Sequence, residues 1–394
     1  MQLNHSLHLA YCTNIHRGES WAETFASLKD HTLAVRDQVC PRRPFAIGLR
    51  LSNHAAMALS DPSTRLEFRR WLDKNNCYIF TINGFPFGSF HGTRVKEQVY
   101  APDWTSHERL GYTNLLFDLL AYFLPPGVEG SVSTLPGSFK EFRPSLDALK
   151  VIRQNLWRCV EHIDRVSQQT GRKLHLGLEP EPLCLLESSA ETIHFFDHLR
   201  AEHPRDERLD RHLGVNYDTC HFAVEFEEPE NALGCLVHHG IKISKIHLSS
   251  ALKVTPTPEA RAELKKYSDD VYLHQVVECD ASGNRSIFRD LPDALRYQPT
   301  GAEAGANAGS NAEWRIHFHV PLHAPAAPPF ENTSDHLLGV LDLLAECPEI
   351  CSHLEMETYT WEVLPPGLKS QNVVDQLAAE YQWTLAHLKE RGLC

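Results

Sequence analysis

Four apolar runs in this chain end on side chains that bind cations. Glu179 ends LHLGL, Asp218 ends LGVNY, His247 stands near the end of ISKIHLS, and Glu357 ends SHLEM. Three carboxylates and an imidazole converging on one place would repel each other and be poorly solvated without a counter-charge, so the set predicts a divalent metal ion. Oxygen-rich ligands with one nitrogen suit Mn, Mg or Co, and Zn also accepts such a set. Each residue has an ordinary alternative. An acid that ends a strand often caps the helix that follows, and Asp218 taken alone reads equally well that way. Glu355 and Glu357 have the same strand parity, so either can face inward. Glu179 and Glu181 pose the same choice. Standing at the strand end favours Glu357, and coming first after the apolar run favours Glu179. His221, three residues after Asp218, is placed to hydrogen-bond a substrate hydroxyl or to support a ligand.

These residues need a frame that gathers strand ends. Short apolar runs alternate with longer amphipathic stretches, the pattern of repeated βα units around a parallel sheet. The runs fall at 7–12, 45–51, 78–84, 130–137, 174–180, 213–218, 243–249 and 352–358. Eight such units predict a (β/α)8 TIM barrel, an α/β fold whose chemistry sits at the C-terminal ends of its strands. Between them, Leu146, Leu149, Ile152 and Leu156 recur at helical spacing in 145–169, and 370–392 reads as the closing helix. The 394 residues exceed the roughly 250 of an ordinary barrel. The surplus reads as an insertion over 250–333 in a single barrel domain of 1–394. It carries VYLHQVVE, RIHFHVPLH and the small-residue stretch GAEAGANAGSNAE, which predicts a flexible loop. RIHFHVPLH, followed by a helical stretch at 334–346, also reads as a possible barrel unit.

Composition narrows the function. With 42% hydrophobic residues the chain can build a large core, and a net charge of -13 argues against a nucleic-acid partner. The opening residues lack a basic, apolar leader and no run approaches the ~18 apolar residues of a membrane span, so a cytoplasmic protein is expected. Eleven cysteines without a C-x-x-C pair indicate buried reduced thiols rather than a disulfide frame. No phosphate-binding loop, nucleophile elbow or dinucleotide turn is present. The 24 histidines need sorting by position. His16 follows the first strand, Asn83 the third, and His91 lies in the loop after it. His274, His317 and His319 belong to the insertion, the last two on one face of a strand in HFHVP. All six are candidates for holding substrate, and the histidines of the insertion could instead complete a larger metal cluster.

The order Glu, Asp-x-x-His, His, Glu resembles the xylose-isomerase-like superfamily, which includes sugar isomerases, ketose 3-epimerases and endonuclease-IV-type barrels. Over the whole chain, YCTNIHRGESW, NGFPFGSFHG, VKEQVYAPDW, STLPGSF, LEPEP, YDTCH, YLHQV, WRIHFHVPL and ETYTW resemble the EboE family, described as metabolite traffic proteins. The superfamily resemblance implies that Glu179, Asp218, His247 and Glu357 are metal ligands and that Glu179 and Glu357 are the paired acid and base. The expected reaction is proton transfer next to a carbonyl through a metal-stabilised enediolate, as in isomerisation or epimerisation of a sugar, sugar phosphate or cyclitol. Hydrolysis of a small phosphate ester at a multinuclear site is a second expectation, and metabolite carriage without catalysis a third. A homodimer is a further expectation, since barrels often pair through their loops.

Overall fold

The computed structural model describes residues 1–91, 94–297, 312–324, 328–364, 369 and 372–394. All eight apolar runs form strands. They are β1 (His8–Tyr11), β2 (Phe45–Arg50), β3 (Cys77–Asn83), β4 (Gly130–Thr134), β5 (Leu174–Leu178), β6 (Leu213–Asp218), β7 (Lys242–Leu248) and, beyond the insertion, β13 (His353–Met356). These eight pair in parallel in the order β1-β13-β7-β6-β5-β4-β3-β2. One parallel bridge, Cys12 to Gly48, joins the two ends of that series and leaves a nearly closed barrel. The strands are buried on both faces because one faces the helices and the other the barrel interior. Helices Pro62–Lys74, His107–Phe123, Leu146–Thr170, Ser189–Glu202, Pro229–His238, Ser334–Glu346 and Val373–Glu390 lie among the connections. The longest starts at Ser145, whose side chain accepts from Ala148 N, and stops at Gly171, where a φ of +67° ends the right-handed backbone. Ile152 and Leu156 bury as their spacing predicts. Leu146 instead is 85% exposed, because the first turn projects past the core.

The insertion builds a second sheet. Strands β8 (Leu252–Val254), β9 (Val276–Cys279), β10 (Arg285–Phe288), β11 (Glu313–Ile316) and β12 (Phe330–Asn332) pair in the order β10-β9-β11-β8-β12, antiparallel throughout. Trp314, Phe318, Tyr267, Leu264 and Val276 form an apolar cluster with it. RIHFHVPLH is therefore not a barrel unit: β11 pairs with β8 and β9 and never joins the parallel sheet. Nor do His317 and His319 ride on a strand, since β11 ends at Ile316 and both follow it in irregular backbone. Residues 301–311 of the small-residue stretch lie outside the described residues. Among the described residues, no helix is long and apolar enough to cross a membrane.

The barrel interior is polar at its centre, and glycine makes room for it. A Cβ on Gly48 would lie 1.9 Å from Glu355 Oε1 and 2.6 Å from the Tyr11 carbonyl. Gly48→Ala must therefore displace a buried carboxylate, and we expect a loss of about 3 kcal/mol, at the upper end of overpacking costs, measured by urea denaturation.

Candidate metal centre

The residues that the sequence places at strand ends meet in space. Glu179, Asp218, His247 and Glu357 each bring a ligand atom within 4.8 Å of the others, and all four are buried. Glu179 follows β5, Asp218 is the last residue of β6, His247 is the penultimate residue of β7, and Glu357 follows β13, so parallel neighbours deliver them to one rim. His247 Nδ1 lies 2.9 Å from Glu179 Oε1, 3.2 Å from Glu357 Oε2 and 3.4 Å from Asp218 Oδ2. Its other nitrogen, Nε2, is 2.9 Å from Glu355 Oε2. A carboxylate only accepts, so Nε2 carries a proton and donates it, which leaves Nδ1 as the atom turned to the carboxylates. Burial opposes charge on this ring, but Glu357, Glu179 and Asp218 together outweigh burial and Lys245 and hold its pKa well above the ordinary histidine value.

Asp218 caps a helix with one oxygen and turns the other toward the cluster. Its Oδ1 caps the short helix Thr219–Val224, accepting from Cys220 N at 2.8 Å and His221 N at 3.1 Å, and also from Ser249 Oγ at 2.6 Å. Its Oδ2 is buried and has no hydrogen-bond partner, and neither has Glu179 Oε2. Buried anionic oxygens in this condition are costly unless a cation completes them. The donor set therefore fits a divalent ion, with Glu179, Asp218, His247 and Glu357 as its holders. Glu357 is fixed from the far side: Asn14 Nδ2 and Asn83 Nδ2 donate to its Oε1 at 2.8 and 3.0 Å.

The choice between the paired glutamates resolves by depth. Glu355 points into the barrel, where Lys245 Nζ donates to its Oε2 at 2.5 Å and to Ser133 Oγ at 3.1 Å. Burial would raise the Glu355 carboxyl, yet Lys245 and His247 hold it at about 2. It orients His247 from behind the cluster. Glu181 does not join the four-residue cluster either. It lines the cavity next to it, accepts from Tyr100 OH at 2.6 Å, and is pushed well above the ordinary carboxyl range by burial, with Glu179, Asp218 and Glu357 adding to the rise.

A half-open cavity covers the cluster, with about 540 Å³ of space including the solvent at its mouth. Glu179, Glu181, Glu357, Asn14, Asn83, Lys96, His221 and His317 supply its polar lining, and Phe85, Phe90, Val95, Val99, Tyr100, Tyr272 and Tyr359 are among the residues that wall the rest. Asn83, His221 and His317 thus line the cavity that opens on the cluster. His319 lies beside them, its Nδ1 2.9 Å from the Glu357 carbonyl. Three other candidates are elsewhere. His16 stacks on His31, has its Nε2 2.9 Å from Tyr11 OH, and borders a separate small pocket with Arg17 and Arg50. His274 has both nitrogens engaged, with Nε2 2.5 Å from Asp269 Oδ2 and Nδ1 3.0 Å from the His317 carbonyl, which leaves neither for a substrate. His91 packs edge-on against Phe90 with its Nδ1 3.9 Å from Glu19, away from the cavity lining. Sequence reading missed Asn14, Lys245, Gln275 and the Glu181–Tyr100 contact. A lysine inside the fully buried run ISKIHL was the one available signal, because a buried ammonium needs a partner.

The last helix supports the rim through a titrating group. Glu380 accepts from Thr358 Oγ1, the residue after Glu357, at 2.9 Å. Burial raises its carboxyl to about 8. The folded state then keeps a proton that the unfolded chain releases above about 4.5, so this contribution is full at low pH and is lost as pH rises to about 8, at up to about 1.4 kcal/mol per pH unit. Glu380→Gln is expected to flatten that slope and to raise the melting temperature at pH 8, read by calorimetry across pH 5–8.

No protein-family model matches the chain, and no curated protein sequence matches it. Solved structures do. An L-ribulose 3-epimerase superposes with a TM-score of 0.50 at 12% identity, over 99% of this chain and 96% of the other. D-psicose 3-epimerase of Clostridium cellulolyticum H10, solved with D-tagatose, gives 0.50 at 10% identity over 98% and 99%. The probable 3-DHS dehydratase AsbF of Bacillus anthracis gives 0.50 at 14% identity over 96% and 99%. The chain has the (β/α)8 TIM-barrel fold of these structures. At these identities the likeness speaks for the fold alone, and one such barrel hosts many chemistries.

Proposed function

We propose that the chain is a divalent-metal-dependent isomerase or epimerase acting on a sugar, sugar phosphate or cyclitol. The observation that carries this reading is the cluster of Glu179, Asp218, His247 and Glu357, with two unpartnered carboxylate oxygens, beside a cavity that opens on it. When bound, a divalent cation supplies electrostatic stabilisation to the charge that develops as a proton leaves the carbon next to a carbonyl. Glu179 and Glu357 both line the cavity, and either can remove that proton while the other returns it. Asn14 and Asn83 hold Glu357 in place for this role. His221 has Nδ1 turned to the Pro180 carbonyl at 2.9 Å, so its other nitrogen is available to a substrate hydroxyl. The aromatic wall of Phe85, Phe90, Tyr272 and Tyr359 suits the apolar face of a ring or chain. The long motifs that resemble the EboE family are what speaks for membership of it, and they leave the reaction to experiment.

The test is solvent deuterium exchange followed by NMR. Metal-loaded protein is incubated in D2O with a panel of ketoses, ketose phosphates and cyclitol ketones. Incorporation next to a carbonyl, abolished in Glu179→Gln and Glu357→Gln, is the expected result. No incorporation across the panel by protein with full metal content would overturn the reading. A second reading, hydrolysis of a small phosphate ester, is favoured by one observation: three imidazoles, of His221, His317 and His319, stand beside the cluster.

A further inference from the structure

Histidines also converge outside the barrel. On the helix Ser189–Glu202, His194 and His198 stand one turn apart, a spacing that places two side chains on the same strip of helix surface. Thr192, Phe195, Phe196 and Leu199 bury the opposite side, and the Ser188 side chain caps the helix by accepting from Glu191 N, so the frame that carries the two rings is fixed. Both histidines are exposed. Their Nε2 atoms come within 3.1 Å of each other, with the ring centroids 4.6 Å apart. Among the described residues, neither ring has a carboxylate within hydrogen-bond distance. Other histidines on the outer elements are answered by an acid or a ring. His162 Nε2 is 2.8 Å from Asp118 Oδ1, His387 Nδ1 is 3.2 Å from Glu390 Oε2, and His203 stacks on Trp157 with centroids 3.7 Å apart.

A proton between the two nitrogens makes this contact a hydrogen bond, and a cation in its place makes it a chelate. Two imidazole nitrogens that each stand ~2.0–2.1 Å from one ion are ~2.9 Å apart at right-angled positions and ~3.3 Å apart at tetrahedral ones. The observed 3.1 Å falls between these. A hydrogen bond at an exposed position gains little, because water competes for both partners. We propose that His194 and His198 form a divalent-metal site on the outer surface, a two-imidazole chelate for an ion of the copper, nickel and zinc class. Two neutral nitrogen ligands bind Cu2+ most tightly, Ni2+ and Zn2+ less so, and select against Mn2+ and Mg2+. The net charge of -13 favours the approach of any cation. With two protein ligands and the rest of its shell open to water, the ion exchanges readily. It is taken up on titration and washed out by gel filtration, so metal that copurifies belongs to the barrel cluster. The site shares no residue with that cluster and does not depend on the proposed reaction.

The experiment is a calorimetric titration of chelator-stripped full-length protein with Cu2+, with the bound ion also read by electron paramagnetic resonance. Wild type is expected to take up one equivalent more than His194→Ala, His198→Ala or the double variant, and that equivalent should show coupling to two nitrogens. The mark of a chelate is that either single variant loses as much as the double one. Linking two ligands on one frame multiplies affinity, so removing one of them should weaken the ion by roughly 100-fold or more. Asp218→Asn should keep this equivalent, and Mn2+ binding should be the same in wild type and all three histidine variants. Both residues are exposed, so thermal melts without metal should coincide. Equal Cu2+ uptake by wild type and the double variant would overturn the site, leaving the pair as a hydrogen bond. Losses that add one histidine at a time would overturn it too, since they describe two independent surface rings. Loss of the equivalent in Asp218→Asn with its retention in the histidine variants would assign the copper to the barrel instead.

Discussion

Asp218→Ala is expected to yield a folded barrel that copurifies with no divalent metal. The residue has two separable duties. Its Oδ1 caps the helix Thr219–Val224, and losing a cap costs about 1 kcal/mol, which a large barrel tolerates. Its Oδ2 is the unpartnered oxygen facing His247 Nδ1 at 3.4 Å, and no neighbour replaces it. Asp218→Asn separates the duties, since an amide oxygen still accepts from Cys220 N and His221 N while the charge is gone. That variant should keep wild-type stability and lose most of its metal. Glu179→Ala should also lose metal without unfolding. Elemental analysis of protein purified without chelator or affinity-tag nickel gives the answer. Wild-type metal content in both alanine variants would show that other residues hold the ion.

Lys245→Met carries the largest expected cost in stability. Lys245 and Glu355 are both buried at the barrel centre, and removing the ammonium leaves a charged carboxylate there with only His247 to answer it. Breaking such a pair costs about 3–5 kcal/mol, whereas replacing both members by apolar residues of similar volume is often neutral. Lys245→Met with Glu355→Leu should therefore recover most of the loss in urea denaturation. It should not recover metal affinity, because His247 Nε2 then has no acceptor to orient the ring, and a deficit of roughly 10–100-fold is expected. Stability and binding would part company in the double variant. If they recover together, Glu355 has no part in presenting His247.

The barrel was legible because its strands are buried on both faces, which turns each into a short apolar run that no surface element imitates. The cluster was legible because polar residues that interrupt those runs only at their ends must meet at one rim. Two choices stayed open for a physical reason. Glu355 and Glu357 share parity, and what separates them is that β13 stops at Met356, a boundary one residue wide that composition does not mark. The histidines could not be sorted, because a ring's role depends on whether its nitrogens find partners within the fold. His274 finds two and is structural, whereas His319 keeps one free. The insertion was visible as surplus length, but apart from the β9–β10 hairpin the pairing among its five strands is non-local and left no periodic trace in the sequence.

The insertion also leaves and rejoins the barrel at neighbouring strands. β7 and β13 are paired in register, Glu355 opposite His247, so everything between them forms a loop whose two ends are hydrogen-bonded to each other. The loop-closure entropy of that excursion grows only slowly with its length. Evolution can thus lengthen, trim or exchange the segment at small thermodynamic cost, while the carboxylates on the barrel keep their positions. Gln275, His317 and His319 all arrive on that segment. The part of the cavity wall that Tyr272, Leu273 and His317 supply is in this sense an exchangeable part, free to diverge separately from the carboxylates on the barrel.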